Sequence, residues 1–212
     1  MKRFLLSLLI LLPVLLWPFD FVILKYRSGD WYNAFDGVKN FLRELSGRTT
    51  VDTLPEPIEL GLDDERIFEH QFLFLNGHVP VILDEKEKAN LRKFVLNGGF
   101  VFVNDDYGLD ESFRKVIAEV FPEYKFEKVA FDHPVYHCFY EFKEGLPKIH
   151  EHDGAPPEGW GLFVGGRLAI FYAFESDIAD GWDYPEVHND SADKREAAFR
   201  MGVNIVIYSL TY

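Results

Sequence analysis

The stretch Asn97-Gly98-Gly99-Phe100-Val101-Phe102-Val103-Asn104-Asp105-Asp106 decides how this chain folds. A helical pattern stops on glycine, an unbroken apolar strand follows, and two acids end it. A strand apolar on both faces belongs inside a parallel sheet covered by helices on both sides. Ligands of such sheets gather just beyond the carboxyl ends of the strands, so Asp105 and Asp106 fall where a site is expected. Two further apolar stretches, 21–26 and 72–75, read as buried strands and run into Ser28-Gly29-Asp30 and Asn76-Gly77-His78. Asp30 and His78 are thereby expected at the same sheet edge.

Outward from this core, strand and helix patterns alternate. Phe35, Val38, Phe41, Leu42 and Leu45 recur at helical spacing, and a short strand is expected at 50–54 after Gly47. Residues 55–59 read as a loop and 63–69 as a helical turn. Asp84 with Glu87 three residues on is a capping-box arrangement, opening a helix through Leu91, Phe94 and Val95 to the Gly98 stop. Another helix is expected at 111–121, with Phe113, Val116, Ile117 and Val120 on one face. Such alternation implies right-handed crossovers and a three-layer α/β sandwich with a mainly parallel sheet. In the second half, the aromatic run 135–142 suits a strand, 146–160 reads as a long loop, and 161–173 as a hairpin turning at Gly165-Gly166. The closing segment 192–208 has Ala198, Met201, Ile205 and Tyr208 on one helical face, although Gly202 and the β-branched Val203, Ile205, Val206 and Ile207 weaken its helix propensity.

A chain of 212 residues, 48% of them apolar, can bury the core of one sizeable domain. Its net charge of −13 repels phosphate backbones and anionic lipid surfaces, which argues against nucleic acid as a partner. The single cysteine, Cys138, precludes an internal disulfide. Lys2 and Arg3 precede an apolar run at 4–17, the pattern of an export leader. As a helix the run reaches about 21 Å, short of the roughly 30 Å hydrocarbon core. No Ala, Gly or Ser stands between Leu8 and Arg27, so the usual small-residue cleavage site is missing. Residues 1–19 therefore read as a retained anchor or an atypically cleaved signal, with an apolar N-terminal helix of a cytosolic protein as the remaining alternative. The first two place one domain, residues 20–212, outside the cytoplasm, membrane-anchored or secreted into the periplasm, touching the membrane only through that segment.

Six blocks carry a resemblance. They are Gly29-Asp30-Trp31-Tyr32, Asn76-Gly77-His78, Gly98-Gly99-Phe100 through Asp105-Asp106, Asp132-His133-Pro134, Gly166-Arg167-Leu168-Ala169 followed by Asp177 and Trp182, and Met201-Gly202-Val203-Asn204 through Tyr208. In this order they resemble the prokaryotic domain-of-unknown-function family 4159, over residues 21–212. The resemblance implies a flavodoxin-like sheet of the kind seen in class I glutamine amidotransferases, behind a signal or anchor, with no established activity. It also implies an envelope-assembly setting with an envelope protein as partner, since members tend to be encoded beside MoxR-type ATPases and von Willebrand factor A proteins. Amidotransferases need a cysteine on a glycine-flanked elbow after a central strand. Here that turn reads Leu75-Asn76-Gly77-His78, and Cys138 sits in an aromatic run as a small buried hydrophobe, so cysteine-dependent glutaminase chemistry is not expected.

Asp30, His78, Asp105 and Asp106, if they converge, suit a divalent cation or a carboxylate-assisted hydrolysis. The plainer alternative is that the acids cap helices and His78 bonds a loop carbonyl. Asp132-His133-Pro134 sets an acid beside an imidazole on a stiff segment, as a general base, a ligand anchor or simply a hydrogen-bonded turn. Arg167 is expected to pair with an acid such as Asp177. His150-Glu151-His152-Asp153 looks like a ligand set but reads as a solvated loop, so no metal and no cofactor is assigned. Trp31, Tyr32, Trp160, Trp182 and Tyr184 either floor a carbohydrate or peptide groove or pack loops. The reading is a non-catalytic ligand-binding or assembly component of the cell envelope, with contacts at Asp30, Trp31, His78, Asp105, Asp106, Asp132, His133, Arg167 and Asp177. The rival is a hydrolase acting on a glycan or peptide through His78, Asp106 and His133.

Overall fold

A computed structural model describes residues 18–212, so the leader reading at 4–17 lies outside the described residues. The chain runs β1 (Val22–Lys25), α1 (Phe35–Arg48), β2 (Ile58–Gly61), β3 (Phe72–Gly77), α2 (Glu85–Leu96), β4 (Phe100–Asp105), α3 (Asp110–Val120), β5 (Phe126–Lys128), β6 (Glu158–Val164), β7 (Arg167–Phe174), α4 (Pro185–His188) and α5 (Ala192–Thr211). Short 3-10 turns stand at Trp31–Ala34, Glu65–Glu69, Pro134–Tyr136 and Asp180–Trp182. One sheet holds all seven strands in the order β2-β1-β3-β4-β7-β6-β5. The first five are parallel neighbours and β6 and β5 extend the sheet antiparallel. This is the flavodoxin-like order with β7 in the fifth place.

All six residues of β3 and of β4 are buried, because helices cover both faces. Alternation divides their side chains. Phe72, Phe74, Phe100, Phe102 and Phe171 face the layer of α1 and α5, where Trp182 stacks on Phe41 at 4.4 Å. Leu73, Leu75, Val101, Val103 and Ile170 face α2 and α3. α2 opens on Asp84 with both halves of its capping box formed. β6 and β7 are joined by the two-residue turn Gly165-Gly166, both at positive φ. α5 is helical despite its β-branched run because nine of its residues are buried, so packing outweighs propensity. Gly202 leaves room for α1 and the 3-10 turn after β7, since a Cβ there would stand 2.6 Å from the Phe41 ring and 2.8 Å from Trp182. Among the described residues no helix is long and apolar enough to cross a membrane.

Two expected strands are corrected. Residues 50–54 contribute only the isolated bridge Phe19–Thr53, and the second strand is β2, partly inside the stretch read as a loop. β2 lies at the sheet edge with only Leu60 fully buried, so its polar alternation conceals it, and Pro57 just precedes the ladder that begins at Val22–Ile58. The aromatic run 135–142 is the 3-10 turn Pro134–Tyr136 followed by irregular chain. The sheet edge beside β6 is taken by the short β5, whose half-exposed Phe-Glu-Lys carries no apolar run.

Candidate functional site

The carboxyl ends of β1, β3, β4 and β7 form one edge of the sheet, and the chain turns there four times. After β1 the Asp30 carboxylate accepts the His78 backbone N–H at 2.9 Å, and its other oxygen lies 2.7 Å from His78 Nδ1. It makes no side-chain cap on the following 3-10 turn. His78 Nδ1 is also 3.2 Å from Asp106 Oδ2. Gly77 permits this approach. It adopts φ +148°, and a Cβ there would overlap the Tyr26 hydroxyl and stand 2.5 Å from Asp30 Oδ1.

Below these groups runs a ladder of side-chain amides. Asn104 Nδ2 donates to Asn76 Oδ1 at 2.7 Å and to Asp177 Oδ1 at 3.1 Å. Asn76 Nδ2 donates to Asn33 Oδ1 at 2.7 Å, and Asn33 Nδ2 in turn donates to Asp106 Oδ2 at 2.5 Å. Asn76 and Asn104 extend the alternation of Phe74 and Phe102 toward the α1 and α5 layer, which is why two buried strands end in amides on the same face. They tie β3, β4 and the segment after β7 into one network.

That segment supplies the densest charge. Asp177 is fully buried at positive φ, a conformation uncommon outside glycine. Its Oδ2 has no hydrogen-bond partner, and His152 Nε2 lies 3.2 Å away without the alignment of a bond. Asp180 Oδ2 is 2.8 Å from His150 Nδ1 and 3.2 Å from His188 Nδ1, while His188 Nε2 is 3.0 Å from Asp183 Oδ2. The rings of His150 and His152 stack at 4.9 Å, with Tyr107 stacked on His152 at 4.7 Å. Donor atoms of Asp106, Asp177 and Asp180 all lie within 4.8 Å of one another, and so do those of His150, Asp180 and His188.

Burial, then the charges of Asp106 and Asp180, lifts the Asp177 carboxyl well above the carboxylate range. Burial and the Asp180 charge lift Asp106 as well, against the pull of His78. His78 is held above its ordinary value, because the charges of Asp106 and Asp30 and its bond to Asp30 outweigh its burial. The cavity above the cluster, about 210 Å³, is lined by Asn33, Asn76, His78, Asp106, Asp180, Asp183 and His188 beside three apolar residues, with no lysine or arginine. Lys148 lies nearby but is taken by Glu175 at 2.8 Å.

Asp30, His78, Asp106 and Asp177 are thus brought together. The other expected contacts lie elsewhere. Asp105, one residue before Asp106, points with Val103 to the α3 side and accepts the Leu109 N–H at 3.3 Å, so it serves the start of α3. Trp31 packs edge-on against Tyr32 at 5.6 Å under the Lys25 ammonium. Asp132 is exposed and His133 sits by the opposite sheet end, accepting the Val135 N–H at 3.2 Å and packing on Tyr208, whose hydroxyl accepts the Leu168 N–H. Arg167 opens β7 and donates to Gly99 O at 3.1 Å. It cannot pair with Asp177, because the whole length of β7 separates them. Cys138 Sγ donates to Asn204 O at 3.2 Å, and burial pushes the thiol up to about 11. Of the loop aromatics, Trp182 is core and Trp160 belongs to β6, which leaves only Tyr32 and Tyr184 exposed.

The sequence reading set His150 and His152 aside as a solvated loop and missed Asp180 and His188. The loop read as solvated folds back across the end of β7, and its two histidines meet Asp180 and Asp177. The available signal was the spacing of two such sets, His150-x-His152 and Asp177-x-x-Asp180, on segments that a hairpin brings together. Comparison with known proteins adds a family: the model of a domain of unknown function (DUF4159) matches residues 20–210. No curated protein matches the chain.

Proposed function

Because the chain belongs to the DUF4159 family, whose function is unknown, we propose from the site itself that this is a non-catalytic ligand-binding component of the cell envelope. The leader of two basic residues and an apolar run supports a position outside the cytoplasm. One observation carries the binding reading: carboxylates and imidazoles from the ends of β3, β4 and β7 meet at one cavity that no lysine or arginine lines. Such a cavity repels phosphates, sulfates and acidic sugars and attracts a cationic or cation-bearing group. The exposed rings of Tyr32 and Tyr184 stand on elements beside it and suit a neutral glycan or peptide portion of the same ligand.

Thermal unfolding of the full chain with small amines, amino sugars and their anionic counterparts tests this. A ligand at 100 times its Kd stabilises by about 2.7 kcal/mol. The cations should raise Tm and the anions should not, and Asp106→Asn should abolish the shift. A reporter fused after Tyr212 should be active only outside the cytoplasm, and cytoplasmic activity would refute the envelope position. A second reading, hydrolysis by water, is favoured by His78 held between Asp30 and Asp106, the arrangement of a general base with its orienting acid. Turnover of a peptide or glycan, lost in His78→Ala, would replace the first reading.

A further inference from the structure

We propose that the strand-end site is a divalent-cation centre, with Asp106, Asp177 and Asp180 holding one ion and Asp180, His150 and His188 holding a second. This rests on the strand ends being the binding site and names what supplies the positive charge there. Three carboxylates are the donor set of a hard ion, while two imidazoles with a carboxylate suit first-row transition ions. Donors at about 2.1–2.5 Å from a common ion stand up to about 5 Å apart. The two groups, each within 4.8 Å, already meet that spacing.

The observation that separates this from a mere acidic patch is Asp177. Its carboxylate is fully buried, one oxygen accepts from Asn104, and the other makes no hydrogen bond, with the equally unbonded His152 Nε2 3.2 Å away out of alignment and donor atoms of Asp106 and Asp180 within 4.8 Å. A buried oxygen without a partner costs about 1–3 kcal/mol, and more when charged, unless something positive meets it. The outer contacts also have the form metal sites take. His188 gives Nε2 to Asp183 at 3.0 Å and turns Nδ1 toward Asp180, so its second nitrogen is oriented by a carboxylate. Asp177 and Asp106 are oriented in the same way by the amides of Asn104 and Asn33.

The test uses the full chain in detergent, stripped with EDTA, dialysed and titrated with Mn2+, an ion both donor sets accept, with free Mn2+ read by electron paramagnetic resonance. Two ions should bind per chain. Asp180→Asn should weaken both by at least tenfold, His188→Gln should leave one, and Asp183→Asn should weaken one by about 10–100-fold. The exposed Glu186→Gln variant should bind like wild type. Metal-free Asp180→Asn should unfold no earlier than wild type, which separates loss of binding from loss of fold. Equal Mn2+ binding by wild type and Asp180→Asn overturns the centre, and a single ion unaffected by His188→Gln overturns the second position. Amines that still raise Tm in EDTA, in a protein that binds no Mn2+, overturn the cation centre while leaving the binding reading standing; absence of both responses overturns both.

Discussion

Gly77→Ala tests whether the strand-end geometry depends on a missing side chain. At φ +148° an alanine is strained by about 1–3 kcal/mol. Its Cβ would also overlap the Tyr26 hydroxyl and press on Asp30 Oδ1, the oxygen that accepts the His78 N–H at 2.9 Å. A hydrogen bond to a charged group contributes about 1.5–3 kcal/mol, so the expected total loss with the strain is roughly 2.5–6 kcal/mol. Urea unfolding read by fluorescence of the buried Trp182 measures it. Tyr26→Phe provides the control, because that buried hydroxyl has no partner and its removal alone should be neutral or slightly stabilising. The double variant should recover part of the loss, since one of the two collisions is gone, but not all of it, since Asp30 is still displaced. A loss below about 0.5 kcal/mol for Gly77→Ala, or strict additivity of the pair, would refute the reasoning.

Three other outcomes are expected. Trp182→Ala, which removes the ring stacked on Phe41 and the Nε1 bond to Ala198 O at 3.1 Å, should cost about 4 kcal/mol in urea unfolding read by circular dichroism, and a loss under about 2 would deny it a core role. With its thiol at about 11, Cys138 should react with a disulfide reagent at pH 8 about two orders of magnitude more slowly than a free thiol, and Cys138→Ala should leave any ligand response unchanged. Burial holds His133 below its ordinary 6.5, so in acid the unfolded chain binds more protons and stability falls as pH drops below that value; His133→Gln should lessen the decline between pH 6.5 and 5, and an unchanged slope would count against it.

How legible each part was depended on how many constraints its residues shared. β3, β4 and α2 carry unbroken apolar runs, a glycine stop and a reciprocal cap, all specifying the same structure. β2 and β5 are edge strands whose place is fixed by ladder partners distant in sequence, and patterns with one buried residue and none say little of them. Asp30, His78 and Asp106 could be placed from strand ends alone. Asp105 could also have been set apart, since adjacent residues on a strand face opposite ways. Asp132, His133 and Arg167 could not, because whether a loop returns to the carboxyl or the amino end of a sheet is settled by tertiary packing. The roles of the histidines at 150 and 152 were hidden for the same reason: the turn at Gly165-Gly166 returns β7 beside β6, and only then do the residues before β6 meet Asp180 and Asp177.

The amide ladder and the acids above it oppose the rest of the fold energetically. Replacing a buried charged cluster with well-packed apolar residues is often neutral or stabilising by about 1–4 kcal/mol, so the core alone gives no reason for Asp177 to be buried or for three carboxylates to crowd together. Helix capping does not explain them either, since Asp30 makes no cap bond and α3 is served by Asp105. What the arrangement achieves is orientation. Asn33, Asn76 and Asn104 fix Asp106 and Asp177 from beneath, Asp30 fixes His78, and Asp183 fixes His188, leaving carboxylate oxygens and imidazole nitrogens converging from four strand ends. On the proposed binding reading, acids at such close range, each steered by a neutral or acidic neighbour and none matched by a lysine or arginine in the cavity, have their electrostatic balance completed by a bound cation.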